Sequence, residues 1–97
     1  MDKINFSWDA LKAAQNLKNH RVPFEEASTV FFDEKAIEYF DPVHSKNEDR
    51  FLMLGISWRL RMLVVCYCLR KNGLEIRIIS ARKATKNEQK AYIEAKR

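Results

Sequence analysis

Ninety-seven residues, 46% of them hydrophobic and 32% charged, make one domain (1–97) with enough apolar material for a core, which excludes a disordered tail. The longest apolar run, Met62 to Leu69, has the length of a strand and not of a membrane span, and Met1-Asp2-Lys3-Ile4-Asn5 lacks a secretion-signal layout, so a cytoplasmic protein with no membrane partner is expected. The net charge of +5 is unevenly placed: residues 1–76 hold eleven Lys/Arg against eleven Asp/Glu, and residues 77–97 hold seven against two. A one-ended excess attracts phosphates; a solvated basic helix without a ligand is the alternative.

Ile4-Asn5-Phe6 is a short strand candidate. Ser7 then caps a helix through His20, with Asp9 in its first turn and Leu11, Ala14 and Leu17 as the apolar stripe. Pro23 opens a second helix, with Glu25 and Glu26 at its N-terminal end and Phe24, Ala27, Val30 and Phe31 on its buried face. Lys35 to Phe40 alternates as a strand, and Asp41 to Arg50 is a polar loop. Strands follow over Phe51 to Ser57 and Arg61 to Leu69. The latter is apolar on both faces and belongs at the centre of the sheet.

Asn72-Gly73 accepts the positive φ angles of a two-residue type I′ turn, after which Glu75 to Ser80 is the returning strand. That turn sets Lys71 opposite Leu74, Arg70 opposite Glu75, Cys68 opposite Arg77 and Cys66 opposite Ile79. Tyr67, Leu69, Ile76 and Ile78 then face the helices. Arg70, Cys68, Glu75 and Arg77 share the other face, where a substrate can lie. Thr85-Lys86-Asn87-Glu88 is a capping box that opens a terminal helix with the thin stripe Ala91, Tyr92 and Ala95. Cys66 and Cys68 point the same way on one strand and share no ligand spacing with His20 or His44. They are read as reduced core residues, with no metal site and no cofactor expected.

Several pieces stand in a recognisable order. Phe6-Ser7-Trp8-Asp9 precedes Asn16 and His20, and Val22-Pro23-Phe24-Glu25-Glu26-Ala27 leads to Asp41-Pro42-Val43-His44-Ser45. Arg50-Phe51, Leu54-Gly55 and Arg61 to Tyr67 come next, and the run closes on Ile76-Arg77-Ile78-Ile79-Ser80-Ala81-Arg82-Lys83-Ala84-Thr85. This resembles the BrnT family of toxins from bacterial type II toxin–antitoxin systems, over about Phe6 to Tyr92. The resemblance implies a RelE-like α+β fold, with two N-terminal helices on an antiparallel sheet and a C-terminal helix. It implies ribonuclease activity that arrests translation. It also implies a BrnA-type antitoxin partner, with operator DNA bound only through the antitoxin complex. Departures from the family pattern are Asn19 where a basic residue is common, Arg21 where Gly is common, and Cys68-Leu69 at a strand end that is usually more polar.

Metal-independent RNA cleavage uses the neighbouring 2′-hydroxyl as nucleophile, and so needs acid–base groups and cationic donors aimed at the phosphate. Arg77 is the first choice for the phosphate, a fixed cation in an apolar strand that also matches the closing motif. Arg61 can reach the site from beside it, Ser80 can donate a hydrogen bond, and His20 can move a proton, with His44 ranked below it. Arg82, Lys83, Lys86 and Lys90 extend an RNA-binding surface, and Trp58 is a base-stacking or partner-docking candidate. Structural uses compete for each of these residues: an ion pair for Arg61, a helix-end cap for His20, solvated surface for the lysines. A non-catalytic nucleic-acid-binding or repressor-complex subunit of the same fold is the alternative function.

Overall fold

A computed structural model describes residues 4–95; Met1 to Lys3 of the N-terminal reading, and Lys96 and Arg97 of the basic end, lie outside the described residues. The elements run β1 (Asn5–Ser7), α1 (Ala10–His20), α2 (Phe24–Thr29), β2 (Ile37–Asp41), β3 (Arg50–Ile56), β4 (Met62–Arg70), β5 (Glu75–Lys83) and α3 (Lys86–Glu94), with short 3-10 turns at Val30–Phe32 and Pro42–His44. They form one five-stranded sheet in the order β1-β5-β4-β3-β2, with β4 at its centre. The sheet is mixed and not purely antiparallel as expected: β1 pairs parallel to β5, with Phe6 beside Ile76. This follows from connectivity, because both helices lie between β1 and the strands it joins, and a crossover permits parallel pairing.

The two faces of the sheet are covered differently. On one, Val22, Phe24, Ala27 and Val30 of the α1–α2 region pack on Leu63, Val65, Tyr67, Ile76, Ile78 and Ala81. Trp8 joins them, edge-on to Phe24 with ring centroids 5.9 Å apart. On the other, Tyr92 of α3 and Ala84 pack on Leu54 and Val64. Gly55 admits the close approach of the Val30–Phe32 turn to β3, since a Cβ there would lie 2.9 Å from Val30 Cγ1. Leu69 keeps the expected face but is 45% exposed, because it lies toward the hairpin end of the sheet, away from the covering helices.

Two expectations about α1 are corrected. Its cap is Asp9, whose carboxylate accepts from the Lys12 N–H at 3.0 Å; Ser7 is still in β1 and donates to Glu75 at 2.7 Å. Its buried residue is Asn16, whereas Leu11 is 77% exposed, Leu17 50%, and Ala14 is also at the surface. The helix is turned so that the Asn16 amide reaches the Ala81 backbone of β5, where, once buried, it has its hydrogen bonds.

The hairpin keeps much of its expected register, with Arg70 opposite Glu75 and Cys68 opposite Arg77. The connection is longer than two residues: it runs from Lys71 to Leu74, with positive φ at Lys71, Asn72 and Gly73. Farther along, Cys66 lies opposite Ser80 and not Ile79, because β5 carries one extra residue between Ile78 and Ser80.

Thr85 and Glu88 close the expected capping box, and the Glu88 carboxylate also takes two hydrogen bonds from Arg82, at 2.8 and 2.9 Å. The Arg82 guanidinium and the Thr85 donors hold the Glu88 carboxyl down at about 2. Its contribution to stability is therefore present above the ordinary Glu range and is lost as pH falls through about 2. Glu88→Ala should cost about 1 kcal/mol from the lost cap and ion pair. A thermal melt at neutral pH checks this, and an unchanged melting temperature would show that Tyr92 alone holds α3.

Candidate functional site

The face that carries α3 is only partly covered. Below the helix, β2 to β5 leave a groove made of two depressions that share Arg50 and Ile79. One, of about 290 Å³, is lined by Asp9, Lys12, Glu48, Arg70 and Arg77; the other, of about 340 Å³, by Asp41, His44, Cys66, Ser80 and Arg82. The alternation of paired strands delivers these groups: Arg50 sits beside Cys68, which sits beside Arg77, and Cys66 sits beside Ser80.

The charges are unevenly committed. Arg70 reaches Glu48 at 3.4 Å, and Arg82 is held by Glu88. Arg50 and Arg77 have no side-chain hydrogen bond or ion pair among the described residues. Two cations without a paired carboxylate leave the groove, which Asp9, Glu48 and Asp41 also line, with an excess of positive charge that favours an anion. His44 Nδ1 lies 2.8 Å from Asp41 Oδ2, which fixes the imidazole and leaves Nε2 available at the groove wall. Burial pushes the thiols of Cys66 and Cys68 up, so neither is an activated nucleophile at neutral pH. Among the described residues no three His, Cys, Asp or Glu side chains converge as a metal ion would require.

Of the residues singled out in the sequence, Arg77, Ser80 and Arg82 meet at this groove. Lys83 lies opposite Leu63 and so points to the other face, while Lys86 and Lys90 are exposed on α3. Trp58 is 69% exposed in the β3–β4 turn, beside Thr29, Phe32 and Ile56 and away from the groove, with the Arg59 guanidinium 6.0 Å from its ring centroid. His20 is exposed at the end of α1 and lines neither depression.

Arg61 does not stand beside Arg77. It lies against α2, where its Nε donates to Glu26 Oε2 at 2.9 Å and its Nη2 pairs with Oε1 of the same carboxylate. Glu26 is 2% exposed and also accepts from Ser57 Oγ at 2.6 Å. The buried carboxylate needs that guanidinium, which outweighs a role at the groove.

Arg50, Asp41 and the favoured place of His44 were not found from the sequence. Asp41-Pro42-Val43-His44 held one usable signal, a carboxylate and an imidazole three residues apart across a proline that starts a 3-10 turn. For Arg50 the signal is its place in the ordered Arg50-Phe51 piece, which says nothing of a role because the residue also ends a polar loop.

The chain is similar to known proteins in sequence and in fold. The family model described as "Ribonuclease toxin, BrnT, of type II toxin-antitoxin system" matches residues 8–88. In fold, the chain is similar to the crystal structure of the Brucella abortus ribonuclease toxin, BrnT, with a TM-score of 0.65 at 19% identity, covering 87% of this chain and 100% of that one. No curated protein matches the sequence. With a family match that takes in α1, α2 and every strand that lines the groove, the chain belongs to the BrnT family of ribonuclease toxins of type II toxin–antitoxin systems.

Proposed function

We propose that the protein is a metal-independent endoribonuclease that cleaves cytoplasmic RNA at the groove, thereby arrests translation, and is silenced by a BrnA-type antitoxin through whose complex alone it meets operator DNA. The observation that carries this reading is the pair of uncommitted guanidiniums, Arg50 and Arg77, beside Ser80 and the Asp41–His44 pair. A RelE-like relationship of the fold is part of the same proposal.

In this reading Arg77 and Arg50 grip the non-bridging oxygens of the scissile phosphate and stabilise the charge that builds on them in the transition state. Ser80 donates to the same oxygens. His44 Nε2 takes the proton from the 2′-hydroxyl as the oxygen attacks phosphorus. The P–O5′ bond breaks, the 5′-oxygen leaves with a proton from solvent or a neighbouring cation, and a 2′,3′-cyclic phosphate remains. Lys86 and Lys90 guide the flanking backbone. His20 and Trp58 lie off this path, and their roles here are at most in touching longer RNA or the antitoxin.

Free protein incubated with RNA in EDTA should yield fragments that end in 2′,3′-cyclic phosphate. Binding without cleavage, with or without ribosomes, would instead favour the non-catalytic subunit. The guiding role of α3 has its own readout. Lys86→Gln with Lys90→Gln should flatten the log–log salt dependence of RNA binding by about 0.7 for each phosphate that a removed lysine had neutralised. Identical slopes would leave these lysines as solvated surface.

A further inference from the structure

We propose that Asn16 is the positioning residue of the groove: it holds β5 in the bulged register that turns Ser80 and Arg82 to the same face as Arg77. This rests on the ribonuclease reading for its consequence, and on geometry alone for its cause.

Side chains alternate along a strand, so residues 77 and 82, an odd number of positions apart, would point to opposite faces of a regular β5. They do not. Arg77 pairs with Cys68 and Ile78 with Tyr67, but the next pair is Ser80 with Cys66, then Ala81 with Val65 and Arg82 with Val64. One residue, Ile79, is left over. That single insertion restores Arg82 and Ser80 to the groove face and sends Ala81 inward, where it is 1% exposed among the residues packed under α1 and α2.

A bulge needs something to hold it, because the unbulged strand would keep more ladder bonds. β1 supports β5 only from Glu75 to Arg77. Beyond that, the open edge of β5 meets the side chain of Asn16. Its Oδ1 accepts from the Ala81 N–H at 3.0 Å, and its Nδ2 donates to the Ala81 carbonyl at 2.9 Å. The same Nδ2 donates to the Val22 carbonyl at 2.9 Å, which ties the strand to the chain leaving α1. Asn16 is 6% exposed, so these bonds form away from competing water. The amide thus stands in for a strand neighbour at the residue just past the bulge. In the slipped register Ile79 would face Cys66, Ala81 would turn outward, and both Ala81 bonds would break.

The test is a set of single-turnover cleavage rates with matched RNA binding and thermal melts. Asn16→Leu, which keeps the size and removes all three bonds, should slow cleavage by about 10- to 100-fold, the scale of a small misplacement of reacting groups. RNA binding, carried by Arg50, Arg77 and the α3 lysines, should change far less. The loss should not add to that of Ser80→Ala/Arg82→Ala, because those side chains are already misplaced, and it should multiply with Arg77→Ala, which precedes the bulge. If Asn16→Leu does not fold, Asn16→Asp, which keeps the acceptor for the Ala81 N–H, serves in its place with a smaller loss. A folded Asn16 variant with the wild-type rate, or one whose loss multiplies with that of Ser80→Ala/Arg82→Ala, would overturn the proposal. Nuclear Overhauser effects between Cys66 and Ser80 give a readout free of activity: they should weaken in the Asn16 variant, and their full retention would equally overturn it. Wild-type cleavage by Arg77→Ala and Ser80→Ala would instead sink the ribonuclease site, while the Cys66–Ser80 signals would still decide the role of Asn16.

Discussion

Replacing Arg77 by Ala should lower the rate of RNA cleavage by at least ~100-fold, the scale of losing one donor to transition-state charge. It should do so at almost no cost in stability. Arg77 makes no side-chain hydrogen bond or ion pair among the described residues, so its removal strands no buried partner. A purely structural arginine behaves in the opposite way, losing stability first and activity only through unfolding. Arg77→Lys should recover a small part of the rate, because an ammonium restores the charge without the two-pronged geometry. A folded Arg77→Ala protein with full activity would remove Arg77 from the site.

Arg61→Ala should have the reverse signature. Glu26 would be left almost fully buried with Ser57 as its remaining side-chain donor. Removing one partner of such a pair costs about 3–5 kcal/mol. In a domain of this size each kcal/mol lowers the melting temperature by roughly 4–8 °C, so the variant should be close to unfolded at physiological temperature. The pH dependence carries the sign. In the wild-type protein the Arg61 guanidinium, more than its own burial, governs Glu26 and holds its carboxyl below the ordinary value of 4.5. A depressed folded-state value contributes stability above the unfolded value, and that stability is lost as pH falls through the folded one. In Arg61→Ala burial dominates and pushes the carboxyl up, so the variant is penalised most where Glu26 must ionise, at neutral pH. The two stability curves should therefore converge as the solution is acidified below about 4.5. Denaturant titrations at several pH values measure this. A folded Arg61→Ala protein of wild-type stability but reduced cleavage would restore Arg61 to the catalytic candidates.

The contrast between these arginines shows where the information lies. Both stand in or beside an apolar strand, and in the sequence they look alike. The order of elements, the central place of β4, the Thr85–Glu88 capping box and the pairing of Arg70 with Glu75 were all legible in the sequence. Each depends on neighbours a few residues apart or on a run apolar on both faces. The ordered motifs that mark the family were legible for the same reason: they are read along the chain.

What only the tertiary structure decided are the contests between distant groups. Glu26 claimed Arg61 across 35 positions, since a buried carboxylate without a cation costs more than an exposed arginine without an anion. Asn16 claimed the Ala81 backbone across 65 positions and turned α1 away from its leucine stripe. The extra residue at Ile79 reversed the facing of everything after it in β5, and no local pattern announces a reversal that a side chain on another element holds in place. Arg50, Asp41 and His44 came to the groove only because β2 and β3 pair beside β4. The sequence determined which elements form and in what order; the folded chain determined which of their polar groups are already satisfied, and so which cations at the groove are left without a partner among the described residues.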